Sequence, residues 1–298
     1  KAERAFVQAG VDAGVRGDGR GRLDYRFVSV DAGLLAQANG SARVTLVNAA
    51  TDVLGAVKAE LAEPSPDAPD AGRVECSVAC WSSASPQFEG RGADAINAQL
   101  TAALERTLGS SGAIDLKSLC VIPGRMCWVL YVDVIVLDSG GSIDDAVSLA
   151  AHAALRDTRL PRLYVVPGET EEEADVEVEE DPAAAVALGV EALPVTITFF
   201  QLGGKTVVDA SGEEEVCATA RVLVSVNRAG RVCAVETSGR GGVAPAVLHA
   251  SLEAARQVSA RLIARVDAAL EKSGAHVPAP AGRGGGGGAG AGAGAGDA

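Results

Sequence analysis

Val129-Leu-Tyr-Val-Asp-Val-Ile-Val-Leu137 runs into Asp138-Ser-Gly-Gly-Ser142-Ile-Asp-Asp145 and then into the apolar-periodic stretch Ala146–Leu155. A continuous apolar run rich in β-branched residues predicts a buried strand, the glycine pair a turn, and the helical period beyond it a helix. A glycine turn opening onto a helix N-terminus normally receives an anion, because free backbone N–H groups and the positive end of the helix dipole point at it. These residues argue against a phosphate. Ser142 and Asp145 form an S-x-x-D arrangement expected to cap the helix and engage the free donors. Asp144 and Asp145 add negative charge, and Ile143 offers an anion nothing.

Outward from this stretch the pattern is strands then helix, twice. Ala2–Val11 suits a short helix, followed by the polar, glycine-rich lead-in Arg16–Arg26. Strand-like runs follow at Ala42–Val47, Val53–Leu61 and, after the proline-rich Pro64–Asp70, at Arg73–Trp81. Ile96, Leu100, Ala103, Leu104 and Leu108 share a helix face, and Leu119–Ile122 and Met126–Leu137 are again strand-like. Later, Val195–Leu202 with Thr206–Asp209 and Ala218–Val226 with Val232–Glu236 read as hairpins, and Pro245–Lys272 as a long amphipathic helix. The expected fold class is α+β: two lobes of mixed strands covered by helices.

The 298 residues can bury a substantial core, and with aromatics at 3% that core must be built from Ala, Val and Leu. No window approaches the ~18 consecutive apolar residues of a membrane span, and no signal peptide is legible. The net charge of −13 speaks against a nucleic-acid binder until it is located. Glu169 to Asp181 holds nine acidic residues and no basic one, so a single insert, expected to be a solvated and disordered loop, carries most of the imbalance. Cys76, Cys80, Cys120, Cys127, Cys217 and Cys233 never form C-x-x-C and read as reduced, packed thiols rather than metal ligands. No cofactor or metal is expected. His152, among alanines, is a packed imidazole before it is a base.

Five motifs in order, Arg16-x-Asp18-Gly19-Arg20-x-x-x-Asp24-x-Arg26, Gly40-Ser41-Ala42-Arg43-Val44, Phe88-Glu89-Gly90-Arg91-Gly92, Gly140-Gly141, and Val208-Asp209-Ala210 leading to Glu213-Glu214-Glu215, resemble the RNase PH-like ring subunits of the RNA exosome over roughly Val11 to Lys272. The resemblance implies a two-lobed RNase PH-like fold, related to ribosomal protein S5 domain 2. It divides the chain into an N-terminal helix and lead-in (1–26), an N-terminal lobe (27–166), the acidic insert and linker (167–192), a C-terminal lobe (193–273) and a disordered Gly/Ala-rich tail (274–298).

The likeness is to the non-catalytic class. In active members of the family an arginine after Gly-Gly-Ser/Thr grips phosphate and an aspartate in the acidic turn is the proposed general acid; here those positions hold Ile143 and Glu215. Ser142, Ile143, Asp144, Asp145, Asp209 and Glu215 thus mark a degenerate phosphate site, with Asp209 expected to tie down its turn. In archaeal relatives two helix arginines contact RNA; their counterparts here are Ala102 and Arg106, leaving Arg106, with Arg91 in its glycine-flanked turn, as candidate RNA contacts. Arg16, Arg20, Arg22 and Arg26 alternate with Asp18 and Asp24 and read as ion-pairing residues.

The implied function is structural: one member of a six-membered ring of RNase PH-like subunits, topped by RNA-binding cap subunits, lining a channel for single-stranded RNA, in the nucleus, nucleolus and cytoplasm. Two rivals differ in class. An active phosphorolytic exoribonuclease would need a composite site across a ring interface, and an unrelated nucleotide-binding α/β enzyme would need a G-x-G-x-x-G or P-loop lysine at a strand–helix junction, where neither occurs.

Overall fold

The computed structural model describes residues 2–48, 50–109, 112–166, 175–179 and 181–272, with residues 2, 3, 91 and 175 described in backbone only. The Gly/Ala tail and most of the acidic insert lie outside these residues.

Six strands form the first sheet: β1 (Val28–Ala32), β2 (Gly40–Leu46), β3 (Thr51–Ala62), β4 (Arg73–Cys80), β5 (Cys120–Ile122) and β6 (Met126–Asp138). Its order is β1-β2-β3-β6-β4, with β5 also on β6. β4 lies parallel to β6, a pairing that requires a crossover, and α2 (Arg91–Gly109) supplies it. After α3 (Ile143–Asp157) the chain makes four short strands, β7 to β10 (Arg159–Leu160, Leu163–Val166, Asp175–Val178 and Val186–Ala187). The second sheet is fully antiparallel, β12-β11-β13-β14, from β11 (Pro194–Leu202), β12 (Lys205–Val208), β13 (Ala220–Asn227) and β14 (Val232–Gly239). α1 (Ala2–Asp12), the short α4 (Gly212–Cys217) and the long α5 (Pro245–Lys272) complete it.

α3 is the centre of the molecule, packed on β2 and β3 of one sheet and on β11 of the other. A helix covered on two faces must be apolar nearly all round, and Ala146, Ala150, Ala151, Ala153 and Ala154 are all fully buried. Small side chains permit close approach. A Cβ on Gly55 of β3 would lie 2.8 Å from the Ala150 carbonyl oxygen. The two lobes consequently share one continuous core, with Val44, Val53, Val132 and Leu155 in the same cluster as Val195, Ile197, Val224 and Leu262. α5 closes it with Ala255, Val258, Leu262, Ile263, Val266 and Leu270, which recur at helical spacing along one face. Fully burying each larger side chain contributes roughly 1.5–3 kcal/mol.

The acidic insert departs from expectation. Its described portion is β9, which pairs antiparallel with β8 so that Val165 faces Val176 and Leu163 faces Val178. Asp175-Val-Glu-Val178 alternates with the two-residue period of a strand, and the charge density of the run hid that alternation.

Candidate functional site

The glycine turn between β6 and α3 is held from three directions. Thr51 Oγ1 donates to the Gly141 carbonyl (2.6 Å) and accepts from the Gly140 N–H (3.1 Å). Arg26 donates to the same Gly141 carbonyl (2.9 Å). Gly141 has φ +105°, and a Cβ there would sit 2.4 Å from the Ala210 carbonyl oxygen, so the turn between β12 and α4 packs directly against the glycine. Glycine here permits the approach of another part of the same chain.

The cap expected at Ser142 is absent. Ser142 is left-handed (φ 56°, ψ 47°) and makes no side-chain cap bond; its hydroxyl donates instead to the Ala210 carbonyl (3.2 Å). Its backbone N–H, the donor that would meet an anion, gives its hydrogen bond to Glu215 Oε1 at 2.7 Å. A carboxylate of the chain itself thus occupies a donor of this helix end. Burial, with Asp144 nearby, pushes the Glu215 carboxyl up to about 7.

Asp144 and Asp145 do not present two free charges. Asp144 pairs with Arg221 at 2.8 Å. Asp145 is completely buried, receives the Thr198 hydroxyl (2.6 Å) and the Tyr25 hydroxyl, and desolvation pushes it up to about 8. Burial thus disfavours the charged form of Asp145, and Asp144 is neutralised in its pair with Arg221, so neither stands as the free negative charge expected from the sequence. Ile143 packs against the main core at the position the resemblance assigns to an arginine.

Asp209 is fully buried with φ +48°, and it organises the lead-in. It accepts from the Arg26 backbone N–H (2.7 Å), Arg26 Nη2 (2.7 Å) and Arg20 Nη1 (2.6 Å). Arg16, also buried, grips Glu214 with Nε at 2.9 Å and Nη2 at 2.6 Å. Glu214 in turn completes a true capping box with Ser211 at the start of α4. Three of the four lead-in arginines are therefore committed to intrachain pairs, while Arg22 is exposed.

The RNA-contact candidates stand apart from this turn. Arg106, in the last turn of α2, pairs with Glu236 on β14. Arg91 opens α2 immediately after Gly90 (φ +64°), not within a loop; its side chain lies outside the described residues. Fifteen helical residues put the two about 22 Å apart. Sequence reasoning named the six turn residues but not Tyr25, Thr51, Thr198 and Arg221, which hold them; no local pattern marks those four.

All six cysteines are free, and burial pushes Cys76 up to about 12 and Cys80 up to about 11. Among the described residues no group of three or more His, Cys, Asp or Glu is placed to hold a metal ion, and no helix is long and apolar enough to cross a membrane. His152 is packed inside α3, and burial lowers it to about 4.

Two α+β lobes on one shared core, with a glycine turn of the first beside an acidic turn of the second, match the two-lobed RNase PH class. The chain belongs to the 3′ exoribonuclease family, whose domain 1 matches residues 24–161 and whose domain 2 matches residues 192–258. It is 31% identical to a Dictyostelium discoideum protein described as "Putative exosome complex exonuclease RRP42", over 91% of this chain and 97% of that one. It is 34% identical to the exosome complex component Rrp42 of Methanopyrus kandleri, over 86% and 92%. Among solved structures it resembles the Archaeoglobus fulgidus exosome with RNA bound to the active site (TM-score 0.75, 29% identity, 89% of this chain and 97% of that one).

Proposed function

We propose that the chain is a non-catalytic structural subunit of the RNA exosome core ring. In this role it pairs with other RNase PH-like subunits in a six-membered ring, supports the RNA-binding caps, and lines part of the channel that delivers single-stranded RNA 3′ end first to a separate nuclease, in the nucleus, nucleolus and cytoplasm. The carrying observation is the Ser142 amide bonded to Glu215, beside Ile143 where an active relative would have its phosphate arginine. Without a guanidinium fork there is no bidentate clamp to position phosphate.

An unpartnered apolar surface supports assembly. Phe6 (81% exposed), Val15 (63%) and Phe27 (68%) stand in solvent. Phe6 and Val15 also border a groove of about 750 Å³ between α1 and the lead-in. Large apolar side chains exposed beside a groove, as Phe6 and Val15 are, suit an interaction face. The division into lead-in 1–26, lobes 27–166 and 193–273, insert 167–192 and tail 274–298 belongs to the same proposal. Mass spectrometry of a native pull-down tests it: the other core subunits should accompany this chain in near-equal amounts, and recovery of the chain alone would refute the assignment.

A further inference from the structure

Two cysteines meet across the hairpin formed by β5 and β6. Cys120 opens β5, Cys127 is the second residue of β6, and the antiparallel register sets them directly opposite one another. Opposite residues of such a ladder carry their side chains on one face. Their strand neighbours Val121 and Trp128 pack on the main core, so by alternation both thiols take the other face of the sheet. Cα atoms in this relation lie roughly 4.5–5.5 Å apart, within the roughly 4.4–6.8 Å that a disulfide spans. In the described strands no other two cysteines are register partners. Cys76 and Cys80, on the same strand β4, are separated by about 13 Å.

The two thiols differ in access. Cys127 is fully buried, whereas Cys120 is half-buried on β5, the shortest strand of its sheet, so an oxidant reaches Cys120 first. Burial pushes the Cys127 thiol up, the Arg73 guanidinium draws it back towards the nucleophilic thiolate, and Cys120 is close enough to be felt. An accessible thiol with a second one held beside it is the arrangement of a redox-sensing cysteine and its resolving partner. We propose that Cys120 and Cys127 are a site of reversible oxidation, closing a cross-strand disulfide in response to hydrogen peroxide. The Cys120 thiolate attacks a peroxide oxygen, the O–O bond breaks, and a sulfenic acid and one water result. The Cys127 thiolate then attacks Cys120 Sγ, the S–O bond breaks, and the departing hydroxide takes up the proton given by Cys127 as a second water. The two thiols lose two electrons and the peroxide gains them; a small thiol such as glutathione restores the dithiol by exchange. In a reducing compartment such a bond is transient, fastening β5 to β6 only while oxidant is present.

Trypsin separates the pair: cleavage after Lys117, Arg125 and Arg156 places Cys120 in the peptide Ser118–Arg125 and Cys127 in Met126–Arg156. The reduced full chain, treated with hydrogen peroxide, alkylated and digested without reductant, should yield these two peptides joined, lighter by two hydrogens than their sum. Glutathione added before alkylation should separate them. Cys127→Ser should abolish the link and leave Cys120 as a sulfenic acid that dimedone traps. Met126, the one methionine of the chain, reports peroxide exposure in the same digest. Recovery of both cysteines alkylated in the unmutated chain after Met126 has become the sulfoxide overturns the proposal. A link from Cys120 to any other cysteine, or to a second chain, overturns it as well.

Discussion

Replacing Asp209 by Asn should destabilise the protein by about 3–5 kcal/mol, the usual cost of removing one partner from a buried ion pair. The size follows from the geometry. Asp209 is wholly buried and its partner Arg26 is 2% exposed, so water cannot take over the lost charge. The carboxylate receives the Arg26 backbone N–H and guanidinium and the Arg20 guanidinium; an amide keeps one accepting oxygen and turns the other position into a donor facing donors. At 2–4 °C per kcal/mol for a chain of this size, the melting temperature should fall by roughly 10 °C. Calorimetry with chemical denaturation measures it, and a double-mutant cycle with Arg26→Met should show that removing both charges costs less than the two single losses added together. Arg20→Ala, at a 14% exposed side chain, should cost less than Asp209→Asn. A loss for Asp209→Asn below about 1 kcal/mol, typical of an exposed pair, would refute the structural role assigned to Asp209.

Stability should fall as pH rises from about 4 to about 8 and then level off: Asp145 (about 8) and Glu215 (about 7) are raised in the fold, so between those values and the ordinary carboxyl range the native state keeps protons that the unfolded chain has lost. His152, lowered to about 4, acts with the opposite sign, adding stability as pH climbs from about 4 to 6.5; melting temperature against pH for the parent and Asp145→Asn should show the downward slope up to about pH 8 flattened in the variant. Deleting residues 169–181 removes β9, and because a two-stranded ribbon is marginal by itself, the melting temperature should change by less than about 3 °C by differential scanning fluorimetry. In the assembled ring, Arg106→Ala should reduce the log K against log salt slope for single-stranded RNA by roughly 0.7, with stability nearly unchanged because the pair is half exposed; filter binding at several salt concentrations would expose an unchanged slope.

The β6–turn–α3 unit was legible because thirteen consecutive strand residues, two glycines and an alanine-rich helix each speak with one voice. β1 was not, since Val28–Ala32 is five residues long and follows an arginine-rich lead-in. α4 was hidden in Glu213-Glu214-Glu215, where six residues carry no helical period. The degenerate turn could be named from its residue types, but its closure could not. Arg26 and Asp209 are 183 positions apart, and Ser142, left-handed and without its cap bond, gives its hydroxyl to Ala210 in the second lobe, 68 positions on. Ion-pairing of the lead-in arginines was readable from interleaved charges, as in the local Arg20–Asp18 pair, whereas the buried partners Asp209 and Glu214 were tertiary.

The central claim, that this subunit holds no working phosphate clamp, is tested most directly by phosphate-dependent release of nucleoside diphosphates from single-stranded RNA. Rings reconstituted with the parent chain, with Glu215→Gln and with Ile143→Arg should behave identically at saturating phosphate, since in the proposed structural role Glu215 does no chemistry and its bond to the Ser142 N–H withholds that donor from an anion beside an introduced arginine. Turnover present in the parent ring and abolished by Glu215→Gln would contradict the account.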